Sequence, residues 1–151
     1  MKKFSFRLER LLHLKQSAED QRAKQLANSM QAAAAVEERA AESARRKGQG
    51  EKQVSDIRSA GLPAGVLQIA EMALRAVRGK SDHDARDYRT AQAHVAGEEA
   101  RFHEARKERL SLERLREKQE DTWLQDARRY EQTEIDEIAA RMKPPSHRGD
   151  Q

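Results

Sequence analysis

The chain has 151 residues, 37% of them charged, 36% hydrophobic and 4% aromatic, with no cysteine. Thirty basic residues nearly cancel 26 acidic ones to leave +4, and only 24 residues are Leu, Ile, Val or Phe, too few for a conventional globular enzyme core. The large uncompensated charge of a disordered chain is missing as well, so the composition fits long solvated helices that each bury one narrow stripe.

In chain order, the first expected element is a helix over about 5–59. Its apolar stripe runs through Phe4, Leu8, Leu11, Leu12, Ala23, Leu26, Met30, Ala33, Ala40 and Ala44 at mixed steps of three and four. Gly48 and Gly50 each cost about 1 kcal/mol in a helix interior, which predicts fraying or a kink there. Gly61-Leu62-Pro63-Ala64-Gly65 must end the helix near Ala60, because a proline disfavours helix in the residue before it. A short helix over about 64–78 follows, dense in apolar residues from Val66 to Val77.

Gly79-Lys80-Ser81-Asp82 predicts a second break. Ser81 with Asp84 three residues later is a capping-box pattern, and Asp82, Asp84 and Asp87 would place negative charge in a first turn. A third helix over about 81–142 carries Tyr88, Val95 and Phe102 at intervals of seven, and Trp123 and Tyr130 at seven again. Leu110, Leu112 and Leu115 between them suggest a stutter in the heptad pattern. Lys143-Pro144-Pro145 should open a disordered tail over 143–151.

The fold class expected is therefore all-α: a long antiparallel two-helix coiled coil, or helical hairpin, forming one domain over 1–142 with the short helix near its turn. At 1.5 Å per residue the two long stretches would extend about 80 to 95 Å. Antiparallel pairing would bring Phe4, Phe6, Leu8 and Leu11 near Trp123, Tyr130, Ile135 and Ile138, gathering most aromatic residues at the open end.

Catalytic chemistry finds no foothold. His13, His83, His94, His103 and His147 form no metal-ligand spacing, and the cluster Asp82-His83-Asp84 with Asp87 reads as an acidic helix start. Neither a nucleophile motif nor a glycine-rich phosphate loop is present, so no enzyme activity and no cofactor are expected. Arg45-Arg46-Lys47 and Arg128-Arg129 are local basic concentrations. A nucleic-acid footprint, however, should be one-signed along a face, and residues 104–118 interleave both signs, so no nucleic-acid partner is expected. Nothing approaches the ~18 apolar residues of a membrane span, and Arg7, Glu9 and Arg10 sit where a signal peptide would be apolar. Absent cysteines are compatible with a reducing compartment, and the cytoplasm is the expected location.

For most of its length the leucine and aromatic stripe reads as the seam of the hairpin. At the open end a helix pair cannot bury residues on several faces, and surplus apolar surface there would invite a partner. A generic coiled-coil adaptor or a substrate-holding chaperone would share all of these features.

Two terminal stretches narrow the choice. Phe4-Ser5-Phe6-Arg7-Leu8-Glu9-Arg10-Leu11-Leu12-His13-Leu14-Lys15 resembles the opening of the FliJ family of flagellar type III export proteins, in which a Phe-x-Leu-x-x-Leu-Leu element leads into a charged helix. Arg129-Tyr130-Glu131-Gln132-Thr133-Glu134-Ile135-Asp136-Glu137-Ile138-Ala139 is similar to that family's Glu-Gln then Asp-Glu pattern late in its last helix. The resemblance implies a stalk-like antiparallel coiled coil that acts at the cytoplasmic face of the inner membrane. It further implies insertion into the hexameric ring of the export ATPase FliI, contact with the export gate protein FlhA, and binding of flagellar substrate chaperones. Carried onto this sequence, it implies ATPase-ring contacts at Phe6, Arg7, Leu8, Arg10, Leu11, Arg128, Arg129, Gln132 and Asp136, and gate contacts at Leu67 and Leu74.

Overall fold

In the computed structural model, which describes residues 3–142, the chain forms two long helices packed against each other: α1, Glu9–Ser59, and α2, Ala64–Met142. The Glu9 amide donates to the Phe6 carbonyl at 3.2 Å, closing a turn that launches α1 four residues later than the apolar pattern suggests. Glu9 then places a carboxylate at the positive end of the helix. At the other end Gly61 adopts φ +66°, a conformation that glycine reaches without a Cβ penalty, and its amide donates to the Arg58 carbonyl at 3.4 Å. Pro63 then starts the return, its carbonyl accepting the amides of Val66 at 2.9 Å and Leu67 at 3.4 Å. The break expected near Ala60 is thus present.

The second break is not. α2 passes without interruption through Gly79 and Ser81, so the short helix expected over 64–78 and the helix expected from 81 are one element. Burial explains this. Ser81 is 7% exposed and occupies the same heptad position as Leu74 and Tyr88, so its side chain is turned into the seam instead of capping a new helix. Interrupting the helix would also forfeit several backbone hydrogen bonds, against about 1 kcal/mol for carrying one glycine through. Likewise α1 stays helical across Gly48 and Gly50. The tail expected from residue 143 lies outside the described residues.

Burial along both helices follows a strict heptad. On α2 the covered positions include Leu67, Leu74, Ser81, Tyr88, Val95, Phe102, Arg109, Arg116 and Trp123, seven residues apart throughout. No stutter interrupts them: Leu112 belongs to the companion set with Val77, Ala91, Glu98 and Ala105, while Leu115 is 38% exposed on the outside. The pattern is hard to see in sequence because Arg109 and Arg116 fill the positions where leucines would be sought. On α1 the covered sevens are Leu12, Glu19, Leu26, Ala33, Ala40, Lys47 and Val54. Leu11, Ala23, Met30 and Ala44 fall outside this seam and are exposed.

Contacts group the chain into two compact units. One gathers the described chain up to Gln16 with the chain from Lys107 onward, and the other is Ser17–Arg106. In the second unit Lys47 meets Asp82 at 4.0 Å, Glu51 meets Arg78 at 3.0 Å and Arg58 meets Glu71 at 2.9 Å. A rise of 11 residues along α1 is matched by a fall of 11 along α2. Gly50 leaves room for Leu74, since a Cβ there would lie 3.1 Å from Leu74 Cδ1. Desolvation of the half-buried Tyr88, with the Glu37 carboxylate beside it, raises its pKa above the ordinary phenol value.

Candidate functional site

The first unit holds both terminal stretches singled out in the sequence. Phe6 and Leu12 are its best-covered apolar side chains, at 5% and 2% exposure. Leu12 is positioned by the second turn of α1, its amide donating to the Leu8 carbonyl at 2.9 Å. Phe4 packs on Trp123 with ring centroids 6.0 Å apart and planes tilted by 51°, a favourable aromatic arrangement. Arg116 reaches Glu9 at 3.4 Å, and Lys15 reaches Glu108 at 2.6 Å. These three contacts join Phe4 and the start of α1 to residues 108–123 of α2 within the unit. Glu9 and Arg116, which motif reading passes over, are central to this arrangement; heptad counting from Phe102 would have brought out Arg116.

The residues singled out near the N-terminus divide by burial. Phe6 is buried and Leu8 half-buried, so both hold the unit together, whereas Arg7, Arg10 and Leu11 are exposed. Those near the C-terminus are all exposed: Arg128, Arg129, Gln132 and Asp136. Arg129 lies 3.8 Å from Asp126, and the Gln132 side-chain amide donates to Asp136 at 2.9 Å, both contacts along α2 itself. Tyr130 is aligned in the same way. Its hydroxyl donates to Glu134, and losing that hydrogen bond beside a carboxylate would oppose ionisation, so its pKa lies above the ordinary phenol value.

Trp123 marks a boundary. Residues 125–142 are exposed except for half-buried Ala127, so the structure does not bring Tyr130, Ile135 or Ile138 to the first helix as it brings Trp123. Yet the apolar pattern continues. Leu124, Ala127, Ile135, Ile138 and Met142 fall on one helical face, at steps of three or four except for the two full fours from Ala127 to Ile135, with Ile135 at 59% and Met142 at 78% exposure. Among the described residues nothing covers this apolar stripe, so this face is the strongest candidate for a partner. Leu124 and Met142 complete it, and a search at three- and four-residue spacing in the sequence would have found both.

Leu67 and Leu74 have a different character. Leu67 is half-buried, and Leu74 is 6% exposed in the seam beside Gly50. The apolar side chains exposed in that stretch are Leu62, Val66, Ile69 and Met72. The acidic cluster around His83 is not a helix start, because α2 is continuous there; Asp82 faces Lys47 and Asp87 lies 3.6 Å from the His83 ring. Among the described residues no helix is long and apolar enough to cross a membrane.

Comparison with curated proteins and with solved structures returns no match. A family model, described as flagellar FliJ protein, matches residues 4–143, nearly the whole chain.

Proposed function

Since this chain belongs to the FliJ family, whose role is in flagellar export, we propose that it acts there as a non-enzymatic stalk. In this reading the two helices form an antiparallel coiled coil. The pairs Glu9 with Arg116 and Lys15 with Glu108 in one unit support it, as do Lys47 with Asp82 and Arg58 with Glu71 in the other, with numbers rising on α1 as they fall on α2.

The working end is the one that carries the chain termini. There the exposed stripe from Leu124 to Met142, flanked by Arg128, Arg129, Gln132 and Asp136, enters the ring of the FliI-like export ATPase. Arg7, Arg10 and Leu11 face the same partner, and Phe6 and Leu8 keep the unit in shape. A binding protein changes turnover only by preferring some states of its partner over others. Contacts with ring subunits in different nucleotide states would bias ring assembly and hydrolysis, without any residue touching ATP. The same protein would link the ring to a FlhA-like export gate through the stretch around Leu67 and Leu74, and to flagellar substrate chaperones. It would work in the cytoplasm, peripherally at the membrane export apparatus.

The observation that carries this reading is the uncovered apolar face of α2 beyond Trp123. The experiment titrates the protein into its cognate export ATPase and follows hydrolysis, comparing the native chain with an Ile135→Glu/Ile138→Glu variant of unchanged helicity. Stimulation that is lost in the variant supports the stalk. Equal stimulation by both proteins would remove the C-terminal face from the mechanism, and no stimulation by either would favour a general adaptor.

A further inference from the structure

Apart from Gly65 in the first turn of α2, three glycines inside the helices have no steric reason to be glycine: a Cβ added at Gly48, Gly79 or Gly97 would meet nothing within 4 Å. Gly50 differs, because Leu74 occupies the space where its side chain would go. Each unrequired glycine weakens its helix by roughly 1 kcal/mol relative to alanine. Gly48 and Gly79, moreover, sit at one level of the same unit. The pair Lys47 with Asp82 brackets them on one side, and Glu51 with Arg78 brackets them on the other. Gly97 has no such counterpart, since α1 contains no glycine besides Gly48 and Gly50.

The seam offers little resistance at that level. Between Val36 and Val54 the covered positions of α1 are Ala40, Glu42, Ser43, Lys47 and Gly50; α2 presents Ser81 there, and its bulkier Val77 and Leu74 lie only on the turn side of the two glycines. Bulky apolar side chains are what normally lock two helices into one arrangement, and local opening concentrates where they are few.

We propose that Gly48 and Gly79 form a paired hinge, across which the section containing the turn, from Glu51 to Arg78, bends as a body against the rest of the Ser17–Arg106 unit. A glycine on one helix alone would let that helix fray while its neighbour held straight. Glycines at one level on both helices let the two yield together, with the Glu51 to Arg78 and Arg58 to Glu71 bridges riding intact on the moving section.

Amide hydrogen exchange on the full-length protein tests this, using Gly48→Ala, Gly79→Ala, the double variant and Gly97→Ala. In the native chain, after correction for intrinsic rates, amides in 48–52 and 79–83 are expected to exchange faster than those around Gly97. Either single substitution at the hinge should slow both segments by about fivefold, because one bending event opens both, and the double variant should slow them by about 25-fold. Gly97→Ala should protect only its own surroundings. If Gly48→Ala protects α1 alone and Gly79→Ala protects α2 alone, the glycines are two independent weak points and the hinge is refuted. Native exchange at 48–52 and 79–83 no faster than at Gly97 would refute it as well. Alanine is the best helix former, so failure to fold does not confuse the result.

Discussion

The two compact units solve one problem with different materials. Where the first turns of α1 meet residues 107–124 of α2, side chains are large: Leu12, Phe6, the Phe4 and Trp123 rings, and Leu112. In the Ser17–Arg106 unit the covered positions of α1 are mostly small or polar, with Ser29 and Ser43 buried outright, and a charge or hydroxyl recurs on α2 at Ser81, Asp84 and Glu98. Buried apolar area gives the first unit its cohesion, at about 25 cal/mol per Å². The second buries Val54 and Leu74 near the turn, and over the rest of its length depends on small side chains and on charges bridging the seam. Such a seam specifies alignment while leaving the helices only loosely held.

The strongest way to break the contrast is to remove its largest anchor. Leu12→Ala deletes the best-buried apolar side chain among the described residues and should cost about 2 to 5 kcal/mol, more than any alanine substitution in the seam between Ser17 and Gly50. Denaturant titration checks this, and a loss below 1 kcal/mol would mean that the end unit is not what holds the chain ends together.

Next in size comes Glu98, 6% exposed, whose Oε1 accepts from Arg101 at 2.6 Å while Oε2 is buried with no hydrogen-bond partner among the described residues. A half-satisfied buried carboxylate is worse than an apolar side chain of similar length. Glu98→Leu should therefore stabilise the protein by about 1 to 2 kcal/mol, read as a higher denaturation midpoint with an unchanged m-value. Destabilisation by this substitution would show that Glu98 has a partner in solution.

How much of this was legible in the sequence follows from the same contrast. Large residues announced themselves: the hairpin expected from the sequence already put Phe4 near Trp123, and Gly61 with Pro63 marked the turn. Small and charged seam residues did not. Ser81 reads as a helix cap because serine favours caps, and only its heptad position, shared with Leu74, shows that burial overrides the local preference. Arg109 and Arg116 hid the continuity of the seam, since an arginine stem can cover apolar surface while its charge stays in water, so hydropathy misfiles it. At the candidate site, motif likeness brought out Arg128 to Asp136 but gave no means of separating the structural Phe6 from the exposed Leu11. That division depends on which face of the chain meets α2.

The bridges of the second unit are a smaller lever. Arg78 meets Glu51 with two nitrogens, at 3.0 and 3.1 Å, but both side chains are about half exposed. Water screens such a pair, so Arg78→Ala should cost only about 0.2 to 1 kcal/mol, and the difference from the native chain should vanish at 1 M salt. A salt-independent loss would mean that the arginine stem, not its charge, carries the effect.

The smallest effect on stability should coincide with the largest on function. Ile135 and Ile138 bury too little surface for their removal to register, so Ile135→Ser/Ile138→Ser should move the denaturation midpoint by less than the equivalent of about 0.5 kcal/mol. Leu12→Ala and this double variant are then opposite controls. One loosens the unit that presents the face, and the other leaves the unit intact and removes the face. If stimulation of the export ATPase falls in both, but only Leu12→Ala regains it when temperature is lowered toward its stability maximum, the stripe beyond Trp123 is the contact and the aromatic end its support. If the serine variant instead unfolds readily, the stripe is packed in solution, against another copy or a segment of this chain, and the face assigned to the ATPase is already occupied.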